Sequence, residues 1–116
     1  MARYLISFNY GAMDVSEQDL PEVAEAAHAV IREAQAAGVL VFAGGVGDPR
    51  ETSLVDRDGD AKERPNPDRT EFIGGITVVE VASRAEALAW AAKIAAACRC
   101  AQEVREFLPG SRVLTD

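Results

Sequence analysis

The chain has 116 residues and a mass of 12.4 kDa, so 1–116 reads as a single domain. With 48% hydrophobic and 27% charged residues the composition is that of a globular protein, which excludes collagen and whole-chain disorder. The formal charge of −7 argues against a nucleic-acid partner, and no run approaches the roughly 18–20 apolar residues that cross a bilayer, so no membrane partner is expected either.

The first residues alternate. Tyr4, Ile6, Phe8 and Tyr10 share one parity, and Arg3, Leu5, Ser7 and Asn9 the other, which predicts a strand over 3–10. This stretch is too short and too polar for the apolar region of a signal peptide. Cys98 and Cys100 sit two apart, where a disulfide would close a strained ring. Both therefore read as free thiols, and the expected location is cytoplasmic.

A helix follows. Asp19-x-x-Glu22 has the form of a capping box, Pro21 fits a first turn, and Gly38 provides the stop. Ser16 offers a start one turn earlier. Leu20, Val23, Ala24, Ala27, Val30, Ile31 and Ala34 form the apolar stripe. The run 39–43 is continuously apolar and reads as a strand buried on both faces.

From 47 to 72 the chain turns to charged residues, Pro and Gly. A hairpin turned at Asp58-Gly59 is expected inside it, followed by an irregular Arg64-Pro65-Asn66-Pro67-Asp68. The next strand is predicted at 73–81, with Ile76, Val78 and Glu80 on one face and Thr77, Val79 and Val81 on the other. Ser83-x-x-Glu86 is a capping box for a second helix, whose stripe carries Ala87, Leu88, Ala91, Ile94 and Cys98. A last strand is expected over 103–108, ended by Pro109-Gly110.

The order is that of an α+β, ferredoxin-like βαββαβ sandwich with an inserted hairpin or loop. Its helices cover one sheet face, yet the central strands are apolar on both. A second copy is the expected cover, giving a homodimer that pairs as a dimeric α+β barrel. The alternative is that 47–72 folds back over the sheet within one chain.

Several segments together resemble the YCII-related, DGPF-type family. They are Arg3-Tyr4-Leu5-Ile6, Ala36-Ala37-Gly38-Val39-Leu40-Val41, Arg57-Asp58-Gly59, Ile73-Gly74-Gly75, the stretch from Glu86 to Ile94, and Glu103-Val104-Arg105. The resemblance implies a dimeric α+β barrel. Two departures stand out. The Asp-Gly-Pro-Phe element is replaced here by Arg64-Pro65-Asn66-Pro67-Asp68. Relatives with a histidine in the first helix place it about one position earlier, relative to the helix-ending glycine, than His28. No His–Asp pair is carried over.

His28 is the one histidine and lies about 100° from the stripe centre. It reads as a general acid or base if Asp68 or Glu71 comes near, and otherwise as a helix-flank side chain touching solvent. Asp68 and Glu71 form a candidate catalytic carboxylate pair, or simply solvated loop charges. Arg64 and Arg69 are candidates for an anionic substrate. Tyr4, Phe8 and Tyr10 share a strand face that is a candidate pocket lining, with the Tyr10 hydroxyl at the rim and an aromatic core or interface face as the plainer reading. Two Cys and one His make a poor metal set, and Gly44-Gly45-x-Gly47 opens no helix, so no metal or cofactor is expected. The resulting expectation is cofactor-free acid–base chemistry on a small-molecule ligand in a cleft between sheet and loop. The alternative is a non-catalytic module that binds a small molecule or a protein.

Overall fold

The computed structural model describes residues 1–63 and 68–111. Strand β1 spans Ala2–Asn9, helix α1 Leu20–Ala36 and strand β2 Leu40–Gly45. A hairpin of β3 (Ser53–Val55) and β4 (Ala61–Glu63) follows, then β5 (Ile73–Val81), helix α2 (Arg84–Cys98) and β6 (Glu103–Glu106). The four long strands form a sheet in the order β2-β5-β1-β6, every neighbouring pair antiparallel. With the hairpin set aside, this is the ferredoxin-like order, and both helices lie on one face.

The register separates the two faces. Tyr4 pairs with Val79 and Ile6 with Thr77, and their side chains point toward the helices. Tyr4, Ile6, Val79 and Val81 pack against Ala87, Ala91, Ile94 and Cys98 of α2 to form the core. The alanines of α2 let it sit close to the strands. Leu88, expected on this stripe, is instead exposed, and so is Leu20 of α1.

Local chemistry sets the ends of the helices. The Ser83 hydroxyl accepts from the Glu86 N–H at 3.2 Å, while the Glu86 carboxylate accepts from the Ala82 N–H at 3.4 Å, a capping box displaced by one residue on its return bond. Asp19 does not cap α1 through its side chain. Its backbone is already helical, so its carboxylate makes no cap and pairs instead with Arg99, the residue after α2, at 3.3 Å. Ser16 serves the preceding turn, its hydroxyl accepting from the Asp19 N–H. At the far end Gly38 takes φ +77°, its N–H donates to the Gln35 carbonyl, and the Val39 N–H donates to the Ala34 carbonyl. Helix α2 ends on Arg99 at φ +57°, a left-handed cap made without glycine.

The other sheet face is open. Leu5, Ile76 and Val78 lie there, and Phe42 of β2 is 57% exposed. Strand β2 is therefore an edge strand that α1 covers on one side only, not one buried on both faces. Arg3 and Glu80 flank the apolar patch as an ion pair at 3.4 Å. All six strand residues of the β3–β4 hairpin are exposed. Among the described residues, the hairpin pairs with neither edge of the four-stranded sheet and packs little against it.

Candidate functional site

A cavity of about 280 Å³ lies between α1 and the helix-facing side of the sheet. It exists because small residues meet there. Ala43 and Gly45 of β2 and Gly75 of β5 leave the floor low, while Ala24 and Ala27 of α1 leave the roof high. Phe8, Met13, Val23, Ile31 and Ile94 complete an apolar wall. The ring of Phe8 lies over Gly75, where a Cβ would come within 2.5 Å of it. Gly74 next to it presses on the backbone of Tyr10, at 2.8 Å from an added Cβ.

Three side chains bring polar or ionisable groups to this apolar wall: His28, Thr77 and Cys98. His28 is exposed on α1 and therefore stands at the cavity mouth. Around it, Arg32 holds the Glu25 carboxyl below its ordinary range through a hydrogen bond and its charge, with a smaller contribution from His28 itself. Cys98 is buried in the wall, and that burial pushes its thiol above the ordinary value, with a smaller push from Cys100. Such a thiol stays protonated near neutral pH and acts as a small apolar group.

The other expected site residues gather at one end of the sheet, outside the cavity wall. Tyr10 is half exposed, and its N–H donates to the Phe72 carbonyl at 2.7 Å. The Arg69 guanidinium lies over the Phe72 ring at 4.3 Å and donates to the Glu71 carbonyl at 2.9 Å. Asp68 and Glu71 are exposed, and neither lines the cavity. Arg64 lies outside the described residues. Among the described residues no cluster of three or more His, Cys, Asp or Glu side chains is gathered for a metal, and no helix is long and apolar enough to cross a membrane.

The model of the YCII-related domain matches residues 2–109. The chain belongs to the YCII-related family. No curated protein matches it. The matched span covers every element of the four-stranded sheet, both helices and the whole cavity wall.

The sequence pattern singles out neither Thr77 nor Met13 as a site residue. Thr77 carries a readable signal: it is the one polar residue on the helix-facing parity of β5, shared with Val79 and Val81. Met13 carries none, since a methionine after a strand is an ordinary core choice.

Proposed function

We propose that this YCII-related protein takes a small, largely apolar molecule into the cavity beneath α1, and that His28 at the mouth moves a proton on it without a cofactor. The observation that carries the reading is His28 on the wall of a cavity otherwise built from apolar and small residues. A neutral imidazole accepts a proton and an imidazolium donates one near pH 7, and a low-polarity surround strengthens the electrostatics of that transfer. Asp68 and Glu71 assist only a substrate that extends past the cavity wall, and Arg69 and Tyr10 contact only such an extension. Arg64 is proposed with them on its place in the sequence alone.

The working unit in this proposal is a homodimer. The apolar open face supports it, with Leu5, Ile76, Val78 and exposed Phe42 at its centre and Arg3, Glu80 and Arg105 around them. Apolar centres with charged rims are the common anatomy of an interface. The proposed compartment is the cytoplasm, supported by two unpaired thiols.

A second reading is non-catalytic binding, favoured by one observation: no carboxylate lines the cavity to orient His28. A panel of small neutral and weakly acidic compounds, screened for binding and for turnover with the wild type and His28→Ala, separates the two. Turnover that His28→Ala abolishes while binding persists supports catalysis. Binding without turnover in the wild type supports the second reading, and absence of binding removes both.

A further inference from the structure

Thr77 is the one buried polar or charged residue in the described chain, with 6% of its surface exposed. Its hydroxyl forms no hydrogen bond with the described residues. A hydroxyl at a largely buried position with no protein partner is satisfied only by what enters the space beside it, water or a ligand oxygen. No buried side-chain oxygen or nitrogen among the described residues is sealed off without a partner. The Thr77 oxygen therefore opens onto the cavity it lines.

The surroundings restrict what meets it. Apart from His28 at the mouth, no Lys, Arg, Asp or Glu lines the cavity. A charged ligand group at the depth of β5 would lose its water without gaining a counter-charge. An uncharged oxygen loses less and recovers a hydrogen bond.

Building on the proposed small-molecule site, we infer that Thr77 is the anchor that selects its ligand. The ligand class is a compact apolar molecule bearing one neutral hydroxyl or carbonyl oxygen. That oxygen meets the Thr77 hydroxyl on the strand floor, and the apolar body packs on Phe8, Val23 and Ile31. Thr77 binds and orients; the proton transfer proposed above belongs to His28.

The test uses the full chain and two probes of matched shape, benzyl alcohol and toluene, titrated by NMR. Thr77→Val keeps the branched shape and removes the hydroxyl, while Thr77→Ser keeps the hydroxyl. The expected result is that Thr77→Val weakens benzyl alcohol about 5-fold, the worth of roughly one hydrogen bond. Toluene changes less than about 2-fold, and Thr77→Ser restores the alcohol. In the unmodified protein, cross-relaxation between the Thr77 methyl group and the carbinol protons is expected, and it needs no variant to fold. An equal effect of Thr77→Val on both probes, or a carbinol group far from Thr77, overturns the inference and leaves the cavity reading standing. Binding of neither probe at the cavity residues of the wild type overturns both.

Discussion

Phe8 lies across Gly75 so closely that no side chain fits between ring and strand: a Cβ at position 75 would approach the ring to 2.5 Å. The two residues are direct partners across β1 and β5. Their contact sets the floor of the cavity, because the missing side chain lowers the strand and the ring walls one side. A glycine in a strand interior is costly in chain entropy, and here the ring covers the bared backbone.

Gly75→Ala is expected to push the Phe8 ring out of place, lowering stability by about 1–3 kcal/mol, the usual range for overpacking. Gly74→Ala is expected to cost more, because the atoms in its way belong to the Tyr10 backbone. Urea unfolding of both variants checks the order. Equal costs would mean that the ring is as immovable as the chain.

The helix ends are testable separately from the site. Gly38→Ala places a Cβ in the left-handed region at φ +77° and is expected to cost about 1 kcal/mol. Ser83→Ala removes the cap on the Glu86 N–H and is expected to cost about 1 kcal/mol. Asp19→Ala carries no cap, so at low salt it loses only the exposed pair with Arg99, within about 1 kcal/mol.

Cys98 gives a pH prediction. Burial raises its thiol above the ordinary value of about 9, so the folded chain holds the proton where the unfolded chain releases it. The neutral thiol's contribution is complete below the unfolded value and is lost as pH rises through the folded one. Wild type is expected to lose stability more steeply than Cys98→Ala above about pH 9. Parallel denaturation curves for the two proteins across that range would contradict the assignment.

The open face makes a prediction about assembly. Two 12.4-kDa chains sharing it give a dimer in native mass spectrometry and light scattering. Phe42→Glu places a charge where Phe42 is 57% exposed in the single chain. It is expected to leave the fold intact and shift the mass to that of one chain. A wild type that already runs as a monomer at micromolar concentration contradicts the dimer.

Some of this is readable in the sequence alone. Strand β5 matches its expected span because its apolar run starts at Ile73 and stops just before the helix cap at Ser83, and Ser83 and Gly38 sit where capping chemistry requires them. Strand β2 misled, since a continuous apolar run states that both faces are greasy and not that both have neighbours in the same chain. Asp19 misled because a side-chain cap depends on a backbone angle that residue type alone does not fix. Arg99 ends α2 in a conformation usually left to glycine, with no sign of it in the residue type. The cavity was the least legible feature. It is made of side chains that are missing at Ala43, Gly45 and Gly75 opposite Ala24 and Ala27, and absences on separate elements leave no periodic trace. His28 was visible as a candidate, while its placement on that wall was not.

The most direct measurement is a crystal structure of the full chain soaked with a set of small neutral fragments. The account predicts that fragments gather beneath α1, against Phe8 and within hydrogen-bond reach of Thr77, with His28 at the open end. Fragments that settle only on the Phe42 and Val78 face, with nothing beneath α1, would contradict it.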